Sequence, residues 1–264
     1  MFDFNIQKHQ TRNLFKSAND CTNCRMQKMC LTRDLNNAEL DKFMQIVQFN
    51  RKVNKGKTLY RTGDPLTSLY VIKLGHFKST QVNNNGEIRV IGFPMSGDLM
   101  GLDSLNSRTF NSDLTALEDS IVCQISYEHI NAMFNATPTL RDRFNCIMSE
   151  EIYLDKTFMF LLSNAHAEQR VANFILDLSE KFSDRGYSKS IFLLRMSRID
   201  ISNFLGLTGE SISRILMRFH KDKVISVDKR EISILDMEKL ENMANGNMSV
   251  ISKSNQITYK SASS

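Results

Sequence analysis

The spacing of apolar residues changes period along the chain, and each change marks an element. Asn36 stands where it can cap a helix whose apolar positions Leu40, Phe43, Met44 and Val47 follow the i, i+3, i+4, i+7 rule. From about Val53 to Ser126 the pattern becomes short apolar runs broken by the turn signals KG at 55–56, TGDP at 62–65, LG at 74–75, NNNG at 83–86 and SGD at 96–98. Signals spaced by roughly 8 to 12 residues predict an antiparallel sandwich or small barrel. Asn85-Gly86 predicts a type I′ hairpin turn, in which both central residues need positive φ.

Thr137 followed by Pro138 predicts a helix N-cap with proline at the first helical position. The segment it opens meets no breaker before about Ser163, which makes a helix of about 27 residues and ~40 Å. Its apolar residues fall into two stripes: Leu140, Phe144, Ile147, Leu154, Phe158 and Leu161 on one, and Met148, Ile152, Met159 and Leu162 on the other. Two stripes predict one face for the chain's own core and one for a second copy of the chain; a single wide core-facing stripe is the simpler alternative. Beyond Asn164 the pattern is of short helices, the first defined by Val171, Phe174, Ile175 and Leu178, with two more before a hairpin. The division that results is an arm over 1–34, a β domain over 35–136, the long helix over 137–163, a helical domain over 164–244 and a flexible tail over 245–264, rich in Ser, Asn and Lys.

Composition agrees with two folded domains: 264 residues, 41% apolar and 24% charged, with 3 Pro and no Trp. Lys8, Arg12 and Lys16 interrupt the N-terminal stretch, so no secretory h-region is expected. The densest apolar run, Phe158 to Leu162, falls far short of the ~20 residues that cross a bilayer. Five Cys are too few for a disulfide scaffold, and a reducing cytoplasm is the expected compartment. The net charge of +5 permits an anionic partner without identifying one. An enzyme is not expected, because the chain has no G-x-G-x-x-G fingerprint, no P-loop and no H-E-x-x-H.

Cys21, Cys24 and Cys30 form C-x2-C-x5-C, and Cys123 follows in the apolar stretch SIVCQIS. Three thiolates from an arm and one from a strand can meet at a 4Fe-4S cluster or at a tetrahedral zinc, in which His9 or His129 could replace one thiol. A 4Fe-4S core with four thiolates carries about −2, and Arg12, Lys16, Arg25 and Lys28 on the arm are the cations expected to offset it. Cys146, inside the long helix, reads as a small buried hydrophobe.

Residues 197–224, SRIDISNFLGLTGESISRILMRFHKDKV, read as a helix-turn-helix. Ser197 caps a first helix through Phe204, Gly206 permits a tight turn, and Thr208 caps a second helix to about Lys221. In the second helix Ile212, Ile215, Leu216 and Phe219 make a buried face, while Glu210, Ser213, Arg214 and Met217 point outward. That outward face suits a major-groove reader. Arg214 matches guanine O6 and N7, Glu210 a cytosine N4 amine, and Ser213 a base edge or a thymine methyl. Arg218, His220, Lys221 and Lys223 are placed for phosphates. The alternating residues 224–227 and 231–234, joined by Asp228-Lys229-Arg230, form a wing.

The order of β domain, long helix and winged helix-turn-helix resembles the cyclic-AMP receptor protein superfamily. The cysteine arm with Cys123 is similar to that of its FNR branch, the fumarate and nitrate reduction regulators. The likeness runs over about residues 18–240 and includes GDPLTSLYVIKLG, ISYEHI, LLS and LGLTGESISR. It implies an α+β chain: an N-terminal antiparallel β-roll of the cyclic-nucleotide-binding type as sensor, a long dimerisation helix and a C-terminal winged helix-turn-helix. It implies a homodimeric regulator of anaerobic transcription, activating or repressing, that meets RNA polymerase through the hairpin tip Gln81 to Arg89. Cys21, Cys24, Cys30 and Cys123 would hold one oxygen-labile 4Fe-4S cluster per subunit that promotes dimerisation. The target would be a palindrome related to TTGAT-N4-ATCAA, read by Glu210, Ser213 and Arg214. Ile152 and Asp155 fall on the family's dimer seam, and Asp155 would there oppose its own copy. Leu102 stands where a ribose-binding Glu would be and Ser112 near a phosphate-binding Arg, so no cyclic nucleotide is expected. Arg25 departs from the small residue often found after the second cysteine. The competing expectations are a zinc-stapled regulator without redox sensing and an Fe-S electron-transfer protein.

Overall fold

The computed structural model describes residues 21–83 and 85–245. The chain forms two compact units, one running to Phe158 and including Arg195–Phe204, the other formed by Met159–Leu194 and the chain from Leu205 onward. The predicted arm residues Arg12, Lys16 and His9 and the 246–264 part of the predicted tail lie outside the described residues.

In the first unit, helix α1 (Asn37–Gln45) begins with the capping box its sequence implies. Asn36 Oδ1 accepts from the Glu39 backbone, and Glu39 Oε2 accepts from Asn36 N–H, both at 3.0 Å. Leu40 and Phe43 are buried as expected. Val47, expected as the fourth apolar position of this helix, instead opens strand β1 (Val47–Val53) opposite Ile125. Ladder bonds along a neighbouring strand satisfy a run of backbone groups, where one more helical turn would leave its last carbonyls without partners.

Seven more strands follow: β2 (Thr58–Tyr60), β3 (Ser68–Leu74), β4 (Phe77–Val82), β5 (Ile88–Gly92), β6 (Leu99–Met100), β7 (Asp113–Ala116) and β8 (Ser120–Ser126). They make two antiparallel four-stranded sheets, ordered β1-β8-β3-β6 and β2-β7-β4-β5. The aromatic ring of Tyr60 from β2 stacks on Phe110 at 3.7 Å between centroids and lies 5.8 Å from Tyr70 of β3. Ile72, Phe77, Leu114 and Val122 are fully buried around them. The β4–β5 connection is not the two-residue turn expected. Of Asn85 and Gly86, only Gly86 takes positive φ (81°), and the strands stop at Val82 and Ile88. Asn83 organises the loop, its side-chain oxygen accepting from the Asn85 and Glu87 backbones.

Helix α2 (Tyr127–Ala136), unmarked in the sequence reading, starts directly after β8 with Ser126 as its cap. Helix α3 (Pro138–Asn164) is the long helix. Thr137 does not cap it with its side chain: the Thr137 carbonyl accepts from Leu140 and Arg141, while its hydroxyl is buried with no hydrogen-bond partner among the described residues. The two stripes are not separated as expected either. Leu140 and Phe144 are buried and Ile147 and Met148 pack on the core, but Ile152, Leu154 and Met159 are exposed alike. The buried core takes Leu140 and Phe144 near the start of α3, and further along Phe158 stacks on Phe204 at 4.3 Å.

In the second unit, Val171, Phe174, Ile175 and Leu178 form the buried stripe of α4 (Ala167–Asp184), as their spacing implies. Strand β9 (Ile191–Leu193), which the apolar pattern did not single out, adds a third strand beside the wing hairpin, giving the order β10-β11-β9 with β10 (Ile225–Asp228) and β11 (Glu231–Ile234). Helix α5 (Arg198–Leu205), which as far as Phe204 belongs to the first unit, carries a reciprocal cap in which Ser197 Oγ accepts from Asp200 N–H and Asp200 Oδ2 accepts from Ser197 N–H. Helix α6 (Gly209–Lys221) follows, and α7 (Met237–Asn245) lies against α4, with Asn173 donating to the Ala244 carbonyl. Among the described residues no helix is long and apolar enough to cross a membrane.

Gly75, at φ 105°, ends the β3 hairpin against β8, and a Cβ there would stand 2.1 Å from Ser120 Oγ. Left-handed strain of about 1–2 kcal/mol and a clash with buried Ser120 act together. Gly75→Ala should therefore lower stability by at least ~2 kcal/mol; a denaturant midpoint equal to wild type would contradict this.

Candidate metal centre and nucleic-acid interface

Strand alternation builds the floor of the first site. Cys123 and Ile125, two apart on β8, share a face, and Val71 of β3 pairs directly with Cys123 while Val47 of β1 pairs with Ile125. Val47, Phe49, Val71, Lys73, Cys123 and Ile125 all line one pocket on this face. Its roof is the segment 21–33, a chain of successive turns in which Cys24 N–H donates to the Cys21 carbonyl, Cys30 N–H to Met26 and Arg33 N–H to Cys30. Cys21, Cys24 and Cys30 line the pocket from this side. All four predicted ligands therefore border one space, brought together by a strand and an arm far apart in sequence.

The arm is held by packing on both sides of its cysteines. Leu31 and Thr32 are fully buried, and Met26 and Met29 pack against Gly97, where a Cβ would meet Met29 at 3.2 Å. Arg143 of α3 donates to the Met29 carbonyl at 3.3 Å. No disulfide joins any of the five cysteines. Loss of hydration pushes the Cys30 thiol up, against hydrogen bonds from Thr32. Burial also raises the Cys123 thiol, to about 11, although the Lys73 ammonium and a hydrogen bond from the Asn50 backbone pull the other way. Both thiols are thus protonated at neutral pH without a metal, and ligation must displace their protons.

The donor set fits an iron–sulfur cluster: four thiols, apolar walls and one cation. Among the described residues no three Cys, His, Asp or Glu side chains stand close enough together to hold a single ion. The four thiols ring a pocket instead of converging on a point. His129 does not replace a thiol, since it lies exposed on α2 and outside the pocket lining. The charge offset differs from expectation as well. Arg25 and Lys28 are exposed and do not border the pocket, whereas Lys73, in the apolar run SLYVIKL, does. A lysine spaced by two from Val71 on a strand that also places Cys123 was the available signal; it could be used only once the register of β3 against β8 was known.

In the second unit α6 is built as its pattern implies. Ile212, Ile215, Leu216 and Phe219 are buried, and the Thr208 hydroxyl accepts from Ser211 N–H at 3.1 Å. Glu210 and Arg214 stand outward, joined at 2.6 Å with both side chains more than 70% exposed. Such a pair is worth only about 0.3–0.5 kcal/mol, so either partner can leave it for a base. Ser213 is half-buried, its hydroxyl donating to the Gly209 carbonyl. Arg218, expected at a phosphate, is engaged by Glu168 and Asp222. His220 Nδ1 accepts from Val227 N–H and ties the end of α6 to the wing. Lys221 and Lys223 are exposed, as are Ile152, Asp155 and Met159 on α3; Met148 and Leu162 are half-buried.

Residues 169–243 match the family model described as a Crp-like helix-turn-helix domain, and residues 50–137 match that of the cyclic nucleotide-binding domain. The fumarate and nitrate reduction regulatory protein of Vibrio cholerae is 40% identical over 224 residues, which is 85% of this chain and 90% of that protein. Its namesake in Escherichia coli is 39% identical over the same shares. The structure of FixK2 from Bradyrhizobium japonicum superposes with a TM-score of 0.68 at 23% identity, covering 74% of this chain and 96% of that one, and so shares the fold.

Removing the cap hydroxyl of α6 with Thr208→Ala should cost about 0.5–2 kcal/mol of stability, read by urea denaturation. No change in the unfolding midpoint would contradict the cap assignment.

Proposed function

Because the chain belongs to the CRP/FNR family of transcription regulators, which are not enzymes, we propose that it is a cytoplasmic, oxygen-responsive homodimer that binds a palindromic DNA site and RNA polymerase and controls anaerobic gene expression through one 4Fe-4S cluster per subunit. The observation that carries the redox part is the single pocket bordered by Cys21, Cys24, Cys30 and Cys123. When bound, the cluster supplies an oxygen-labile centre. The residues around it order the arm. Burying Leu31 and Met26 yields about 1.5–3 kcal/mol each, while fixing a residue's backbone costs about 1–2 kcal/mol. Two apolar anchors therefore offset the ordering of only a few residues, and the rest of the arm depends on its cysteine ligands.

Arm order reaches the dimer surface through α3. Arg143 bonds the Met29 carbonyl, and the same helix presents Met148, Ile152, Asp155, Met159 and Leu162 to the second subunit. On DNA, Arg214 reads a guanine, Glu210 a cytosine and Ser213 a neighbouring base edge, and Lys221 and Lys223 meet phosphates; Arg218 joins them only by leaving Glu168. The chain divides by role into the arm 1–34, the sensor 35–136, the dimerisation helix 137–163, the DNA-binding domain 164–244 and the tail. No cyclic nucleotide takes part, in keeping with Leu102 and Ser112.

Anaerobically purified protein should contain about four irons and four sulfides per chain, and Cys123→Ala should lose them together with the dimer. Colourless protein with stoichiometric zinc overturns the redox reading, and an unchanged dimer in Cys123→Ala by light scattering removes the coupling. Arg214→Ala should weaken binding to the specific palindrome by about 1–3 kcal/mol and leave binding to random DNA nearly unchanged. Equal losses on both would contradict base reading.

A further inference from the structure

The cysteine pocket contains a cation that no ligand pattern accounts for. Lys73 extends from the floor strand β3 into the lining beside Cys123, and its Nζ donates to Asn50 Oδ1 at 2.9 Å. Asn50 occupies a break in the β1–β8 ladder, where the register shifts between Gln48 and Arg51, and its backbone is left-handed at φ 58°. Asn tolerates that conformation better than most residues. The break frees the Asn50 backbone N–H from the ladder, and it bonds the Cys123 thiol. One bulge residue thus holds a ligand with its backbone and an ammonium with its side chain. Among the described residues the arm's cations, Arg25, Lys28 and Arg33, are exposed.

We propose that Lys73, fixed by Asn50, is the charge-compensating residue of the four-thiol site, a cation that favours the more negative states of whatever the thiolates bind. The inference rests on the cluster reading for its redox consequence. Four thiolates on a 4Fe-4S core carry about −2, and one adjacent positive charge halves that net charge. Net charge near a cluster and hydrogen bonds to its sulfurs set its reduction potential, and a cation stabilises the reduced form. Lys73 is a positioning residue, since it ligates nothing. Asn50 stands behind it.

The test is a potentiometric titration of anaerobically reconstituted full-length protein, with iron and sulfide counted on the same samples. In wild type with about four irons per chain, Lys73→Met should lower the one-electron midpoint by an amount equal to about a tenfold change in equilibrium, ~59 mV. Lys73→Arg should restore it. Asn50→Gly, which keeps the left-handed backbone and its N–H but releases the ammonium, should move the midpoint the same way by less. A wild-type midpoint in Lys73→Met at full iron content overturns the role of Lys73 and leaves the cluster reading standing. Iron-free wild type overturns the cluster reading instead. The redox role of Lys73 falls with it, since among the described residues no three Cys, His, Asp or Glu side chains stand close enough to hold a single ion. Lys73→Gln serves in the titration if the Met variant does not fold.

Discussion

A strand hydrogen-bonded along both edges cannot slip by one residue without turning every side chain to the opposite face. Ser120–Ser126 is such a strand, paired with Val47–Val53 on one side and Ser68–Leu74 on the other. Its register decides that Val122 is buried in the core of the β-roll and that Cys123 points to the other face, toward the arm. The same register places Val71 opposite Cys123 and Val47 opposite Ile125, and Lys73 follows where the β3–β8 ladder shifts between Ile72 and Leu74. A pocket made from three strands needs all three in register. The β-roll is therefore a device for fixing one thiol and its surroundings before any arm arrives.

What arrives is a segment with little regular structure. The three arm cysteines sit on consecutive turns, tethered by buried Leu31, by methionines against Gly97 and by Arg143. Few apolar contacts and many turn bonds describe a segment of low local stability, the kind that a bound group orders and its loss releases. Arg143 belongs to the helix that leaves Ile152, Leu154 and Met159 exposed, so the arm is bonded to the element that carries this apolar surface.

The second unit works by a different economy. Its reading helix buries four residues and leaves the opposite face to a loose ion pair and a partly buried serine. Glu210 and Arg214 restrain each other without contributing much stability, so the face is ordered yet available. Arg218 is the contrast: it stays exposed, but Glu168 and Asp222 engage the guanidinium that sequence spacing assigned to a phosphate.

Local rules read from the sequence were reliable where a single element satisfied itself. The capping box at Asn36, the Thr208 cap, the four-residue stripe of Gly209–Lys221 and the extent of Pro138–Asn164 follow from short-range hydrogen bonding and a 3.6-residue period, and all are present. The cysteine spacing likewise identified four side chains that one pocket unites. Local rules failed where distant chain competes. Val47 left its helix to pair with Ile125, the Thr137 hydroxyl was buried without a bond, and Asn85 did not take positive φ because the loop was organised by Asn83. Asn50 and Lys73 were invisible for the same reason: one is a bulge in a ladder and the other a lysine in a strand, and each acquires meaning only from what lies across the register. Sequence pattern alone carried most of the helices, the four cysteines of the pocket and the outward face of Gly209–Lys221. Which strand face the pocket cysteines share and which charge stands beside them came from the folded chain, because both depend on pairings between segments tens of residues apart.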